Sequence, residues 1–246
     1  AVVNIYGGTF LGCEEGFAKG GRSVVYASSG NVVNIYGGNV KALAADKTSY
    51  ANKTEGVYAA LNVADNNGMI NVYGGSFYKQ NPAAPGTEPA AWNATHPNGF
   101  LAEGCVVEAD GDWFNVIYDP YYGYTKVANI DQLKDAIKNA TADINIVFLN
   151  DIVGDVGNNE TDKKNTVTVT INGDGKTYTG AMTLNSNVTF KNINFDGKGY
   201  NGYAITTRGA HYVTIDGGTA KNYGYGFVQL ASATVLTTVK NVTVSN

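Results

Sequence analysis

The sequence predicts an all-β fold, a parallel β-helix (β-solenoid) in two segments, on three observations. A nine-residue strand pattern returns at variable spacing, and a five-residue pattern returns later at nearly constant spacing. The composition also favours turns and pleated surfaces over helices. Gly supplies 31 of 246 residues against a usual ~7%, and charged residues make up 15% against a usual ~25%.

The first segment covers residues 1–119. VVNIYGGTF (Val2 to Phe10), VVNIYGGNV (Val32 to Val40) and MINVYGGSF (Met69 to Phe77) place Tyr6, Tyr36 and Tyr73 at intervals of 30 and then 37 residues. A constant strand core with connections of varying length is the mark of stacked strands whose loops swell outward. The glycine pairs Gly7-Gly8, Gly37-Gly38 and Gly74-Gly75 are expected to turn the chain at φ > 0. Asn4, Asn34 and Asn71 are equivalent positions, and they either stack as an amide ladder or each face solvent; alternation alone does not choose. A second short strand per repeat is expected over Ser23 to Ala27 and Val57 to Val63. Residues 78–99 hold four of the five prolines and read as a long surface loop, after which the chain returns through LAEGCVVEADGDWFNVIYDP. Cys13 and Cys105 are separated by several repeats, at about 4.8 Å per strand step, whereas a disulfide needs Cα atoms within about 7 Å. Two buried, unpaired thiols are expected.

Residues 120–143 read as a linker with one helix from about 130 to 140. Asn129 is its N-cap, Gln132 follows three positions on, and Ile130, Leu133 and Ile137 have helical spacing. The second segment, 144–246, has apolar strands at Ile144 to Leu149 and Thr166 to Ile171, the latter closed by Asn172-Gly173-Asp174-Gly175. VTFKN, VTIDG and TTVKN, starting at Val188, Val213 and Thr237, recur at 25 and 24 residues. With strand-like sequence at both ends, the chain is expected to be a piece of a longer protein.

A net charge of −4 offers no clustered cations for a phosphate backbone, so nucleic acid is not an expected partner. No run approaches the ~20 apolar residues of a membrane span, and no signal peptide is recognisable. Zinc-ligand spacing, a nucleophile elbow and a phosphate loop are missing, so no metal or cofactor is expected. Asp174, Asp196 and Asp216 each precede a glycine, at intervals of 22 and 20. They read either as a carboxylate ladder for Ca²⁺ or sugar acid/base chemistry, or as turn residues at corners. Arg208, His211 and Asp216 combine a cation, an imidazole and a carboxylate, the weak alternative for catalysis. His96 reads as a solvated loop residue. Among 17 tyrosines, Tyr200, Tyr203, Tyr223 and Tyr225 are candidates for glycan contact, or for filling corners.

Two resemblances add to this reading. GGSFY, NP, NGFLAEGCVV and WFNVIYD, across about residues 69–119, resemble a module of β-helix proteins from gut bacteria and their phages. INGDGKTYTG, within about 144–246, resembles the first coil of right-handed parallel β-helix proteins, pectate-lyase-like enzymes and phage tailspikes among them. The resemblance implies a right-handed β-helix of the phage appendage type (head fibre, tail fibre or tailspike) or of the bacterial surface type. It implies a structural or adhesive role on a virion or cell surface, homotrimer formation or assembly with other virion or surface proteins, and a surface glycan as a possible partner. The alternative is a polysaccharide lyase or glycoside hydrolase, although the paired aspartates, Gly-His-Gly and basic triplet of polygalacturonases do not occur.

Overall fold

Alternation in VVNIYGG puts Val3 and Ile5 on one side of a strand and Val2, Asn4 and Tyr6 on the other. The computed structural model describes residues 1–12, 22–42, 58–63, 65–84, 94–161, 166–209, 212–231 and 236–245. These fall into two units, Ala1–Tyr122 and Gly123–Asn246. Both are mostly strand, and most pairing is parallel.

In the first unit each glycine-pair repeat folds as two strands flanking its glycines. β1 (Val2–Ile5), β4 (Val32–Ile35) and β7 (Met69–Val72) form one parallel sheet, and β2 (Thr9–Leu11), β5 (Asn39–Lys41) and β8 (Gly75–Tyr78) pair in parallel in a second. β3 (Arg22–Ala27) and β6 (Tyr58–Val63) make a third. Register is kept across the unequal spacing, with Val33 opposite Ile70 and Ile35 opposite Val72. Five residues separate the buried positions on either side of each corner, Ile35 from Val40 and Val72 from Phe77. These residues, with Leu61, Val63 and Phe100, fill the core.

The asparagines form the ladder. Asn34 Nδ2 donates to Asn4 Oδ1 and Asn71 Nδ2 to Asn34 Oδ1, each at 2.9 Å. Asn34→Ala removes both bonds and is expected to cost about 1–2 kcal/mol, at roughly 1 kcal/mol per bond. Urea unfolding read by tryptophan emission measures it, since Trp92 and Trp113 both precede residue 122.

The expectation for the glycine pairs is corrected. Only the second member has positive φ, +112° at Gly8, +105° at Gly38 and +111° at Gly75. In the second and third repeats the first member is crowded instead, because a Cβ on Gly37 would lie 3.0 Å from the Tyr6 carbonyl oxygen and one on Gly74 2.6 Å from that of Tyr36.

After β8 the parallel pattern stops. β9 (Cys105–Asp110) and β10 (Trp113–Tyr118) form an antiparallel hairpin that extends the second sheet. Gly111, at φ +58°, is the first of two turn residues, where hairpin turns of this length take glycine. Within the loop expected over 78–99, residues 85–93 lie outside the described residues. Its start and the segment just after it close the core. The Gln80 amide accepts from Leu61 N (2.7 Å) and donates to Leu61 O (3.0 Å), taking the place of a third strand beside β6. The Val72 N–H donates to Phe100 O at 2.8 Å. Cys105 is unpaired but only half-buried, which corrects the expectation of full burial; partial burial raises its thiol pKa. Cys13 lies outside the described residues.

In the second unit β11 (Thr125–Val127), β12 (Ile144–Phe148), β14 (Thr168–Asn172), β17 (Asn187–Tyr200), β19 (Tyr212–Tyr223) and β21 (Leu236–Lys240) pair in parallel in that order. β17 and β19 are long because each turns a corner without leaving the ladder. The turn falls at Asn192 (φ +48°) in β17 and at Gly217 (φ +81°) in β19, residue types that tolerate left-handed backbone. Beyond the corner β13 (Ile152–Val153), β15 (Thr177–Thr179) and β22 (Thr243–Ser245) continue the pairing. β16 (Met182–Leu184), β18 (Tyr203–Thr207) and β20 (Gly226–Leu230) form a further parallel sheet. Here too five residues separate buried positions across the corner, Phe190 from Phe195 and Ile215 from Ala220.

The helix expected near 130–140 is α1 (Ile130–Asn139). Asn129 Oδ1 accepts from Gln132 N (3.0 Å), and Gln132 Oε1 reaches back to accept from the N–H of Ala128, the residue before the cap (2.8 Å), a variant of the capping box. Leu133 and Ile137 join the core of Val127, Ile146 and Val169, so the helix is part of the second unit's packing. The single-turn α2 (Asn158–Thr161) ties in through Thr161 Oγ1, which donates to Thr183 O at 2.8 Å.

Candidate functional site

The three Asp-Gly aspartates do not form a ladder. Asp196 stands opposite Lys221 in register, and Asp216 opposite Lys191 on one side and Lys240 on the other. Asp196 lies 3.5 Å from Lys221 Nζ and accepts from Asn222 Nδ2 (2.8 Å) and Lys198 N (3.0 Å). Asp216 lies 3.1 Å from Lys240 Nζ and accepts from Asn241 Nδ2 at 2.8 Å. Asp174 sits in a turn at φ +50°, 3.9 Å from Lys176 Nζ. Alternating charge along the repeats removes the like-charge repulsion that a carboxylate ladder would suffer.

Arg208 is exposed, with its backbone N–H donating to Leu184 O at 2.6 Å, and the partners of Asp216 are Lys240 and Asn241. His211 lies outside the described residues. Among the described residues no group of three His, Cys, Asp or Glu is placed to hold a metal ion.

Asp65 went unnoticed in the sequence. Its carboxylate accepts from Asn67 N and Gly68 N, both at 2.9 Å, and from Ser29 N of the preceding repeat at 2.8 Å. The signal available was an acidic residue opening an Asn-Gly turn. Backbone hydrogen bonds, Ser29 first, hold the Asp65 carboxyl below its ordinary pKa; the Asn222 amide does so for Asp196 and the Asn241 amide for Asp216. A carboxyl lowered in the folded chain contributes stability that is complete above its unfolded value, near 3.9, and lost as pH falls through the folded value. Melting temperature is therefore expected to drop below about pH 4, and to drop less steeply in an Asp65→Asn/Asp196→Asn/Asp216→Asn variant. Parallel curves for the two proteins would refute this.

The tyrosines divide into two arrangements. Tyr6, Tyr36 and Tyr73 stack with centroids 5.1 and 4.7 Å apart and planes within 11°. Their faces are turned toward one another, so this row offers mainly ring edges to a ligand and ties repeats together. Tyr200 and Tyr223, and Tyr203 and Tyr225, meet edge to face at 6.4 and 5.8 Å. Tyr223 is corrected as a glycan candidate. It is buried at 6% exposure, its hydroxyl donates to Gly180 O (2.8 Å), and burial raises its pKa. Tyr200 and Tyr225 remain exposed at 44% and 64%, with Tyr203 half-buried between repeats.

No described helix is long and apolar enough to cross a membrane. Comparison with known proteins finds no matching family model, no matching curated protein and no matching solved structure.

Proposed function

We propose that this chain is a structural module, a right-handed parallel β-helix in two segments, of the type that builds phage head fibres, tail fibres and tailspikes or bacterial surface proteins. The observation that carries the reading is that polar side chains fasten one repeat to the next. The Asn4–Asn34–Asn71 ladder, the Tyr6–Tyr36–Tyr73 stack and the Asp196–Lys221 and Asp216–Lys240 pairs all cross between repeats. Groups of this kind, already satisfied by protein partners, favour a spacer or display role over acid/base chemistry. Exposed Tyr200 and Tyr225, with half-buried Tyr203, give the module an adhesive side, where tyrosine rings can stack on sugars. It works on a virion or cell surface as a homotrimer or bound to other appendage proteins.

The lyase or glycosidase alternative is set aside because its carboxylates are each matched to a lysine. Incubation with a panel of neutral and acidic polysaccharides is expected to yield neither new reducing ends nor unsaturated uronate products. Product formation would overturn the structural reading. Sedimentation velocity is expected to show three chains per particle, and a monomer at all concentrations would refute the trimer.

A further inference from the structure

The second sheet of the first unit carries an outward face that none of the ties above uses. Strand register puts Leu11, Lys41, Tyr78, Trp113 and Asp110 in one row and Thr9, Asn39, Ser76, Asn115 and Glu108 in the row beside it. The opposite faces of these strands carry Val40, Phe77 and Val116, which are buried. One row is thus aromatic and cationic, and the other is amide and hydroxyl.

We infer that this face binds a saccharide bearing a carboxylate, of the uronic or sialic acid kind, with the sugar ring against Trp113 and Tyr78 and the carboxylate at Lys41. The inference rests on the adhesive part of the proposed function and places a separate contact in the first unit. Four observations support it. Lys41 Nζ lies 4.4 Å from the Tyr78 ring centroid, which holds the ammonium beside the aromatic pair. Among the described residues no carboxylate pairs with it. Trp113 meets Tyr78 at 5.2 Å and 64°, an angled pair of ring walls, and among the described residues its indole N–H has no acceptor. In the neighbouring row Ser76 Oγ donates to Asn115 Oδ1 (2.6 Å), which leaves the Asn115 amide hydrogens and exposed Asn39 to meet hydroxyls.

The surrounding charges set the ligand's direction. Lys79 is engaged by Asp112 at 3.8 Å, and Asp112 also accepts from the Tyr78 hydroxyl. Asp110, Asp112 and Glu108 all lie on the β9–β10 hairpin. A carboxylate is repelled from that side and attracted to β5, where Lys41 stands, while hydroxyls toward the hairpin find acceptors in Glu108 and Asp110. A neutral saccharide would lose the Lys41 contact, and a polyanion without apolar ring faces would lose the aromatic one.

The test titrates the full chain with oligogalacturonate, a sialylated oligosaccharide and a neutral cello-oligosaccharide by calorimetry. At least one acidic saccharide is expected to bind, with affinity falling as salt rises. Lys41→Gln is expected to weaken it about tenfold, the scale of one charge-assisted contact, and Trp113→Phe to weaken it as well. Tyr212→Ala, at an exposed tyrosine of the second unit outside both proposed contacts, should leave it unchanged, and circular dichroism confirms that each variant folds. Equal binding of neutral and acidic saccharides, or unchanged affinity in Lys41→Gln and Trp113→Phe, would overturn the inference. If acidic saccharides bind and only Tyr225→Ala weakens them, this site fails while the adhesive reading stands. If no saccharide binds, both fail.

Discussion

Gly38→Ala is expected to destabilise the first unit by about 3 kcal/mol, whereas Gly7→Ala, at the first member of the preceding repeat's pair, changes it by less than about 0.5 kcal/mol. The contrast follows from two features that Gly38 has and Gly7 lacks. Gly38 sits at φ +105°, where an L side chain is strained, and its Cβ would lie 2.8 Å from the Gly8 carbonyl oxygen. That oxygen accepts from Asn39 N at 2.9 Å, so it cannot move aside without breaking a bond between repeats. A Cβ on Gly7 would meet no atom within 4 Å beyond its chain neighbours, and its φ is not positive. Urea unfolding followed by tryptophan emission reads both variants, and equal effects would show that the corner does not depend on that backbone contact.

Phe195→Ala is expected to cost the second unit about 3–5 kcal/mol, the range for a fully buried aromatic. Phe195 is 1% exposed and its ring meets Tyr178, Phe190 and Phe227 at 5.9, 5.7 and 5.4 Å. It also lies on the second half of β17, which pairs with β15 on one side and β19 on the other. The cavity therefore opens at the corner where three successive strands meet, and neighbouring backbone held in two ladders can relax only partly. Hydrogen exchange is expected to quicken in β15, β17 and β19 together, and loss confined to β17 would count against a shared core. Phe195→Leu, which keeps most of the volume, should recover much of the protection.

Period was the most legible property of the sequence. Tyr6, Tyr36 and Tyr73 mark strands that do pair, and Val188 and Val213, 25 residues apart, are register partners. The same arithmetic speaks against the aspartate ladder, since Asp196 and Asp216 are 20 residues apart and out of step with the strands that carry them. The antiparallel hairpin has a local signal, Asp110-Gly111-Asp112 between alternating strands, although nothing in that signal says that the hairpin joins the sheet of the parallel repeats. Other features have no local trace. Gly38 and Gly75 each lie against a carbonyl 30 or 37 residues earlier, and the Tyr223 hydroxyl finds its acceptor at Gly180, 43 residues earlier. The Lys41, Tyr78 and Trp113 row is assembled from three strands, with no motif joining its members in sequence.

The constant five-residue step across the corners has a consequence for how such a chain can change over generations. Because register is set at Ile35–Val40, Val72–Phe77, Phe190–Phe195 and Ile215–Ala220, the connections elsewhere are left out of the bookkeeping of the core. Doubling a flexible connection costs only about 0.6 kcal/mol in closure entropy. New segments can therefore be spliced between strands, lengthened or exchanged, while the scaffold beneath them stays the same. A grafted peptide epitope carried on such a connection would inherit a fixed position without having to fold by itself.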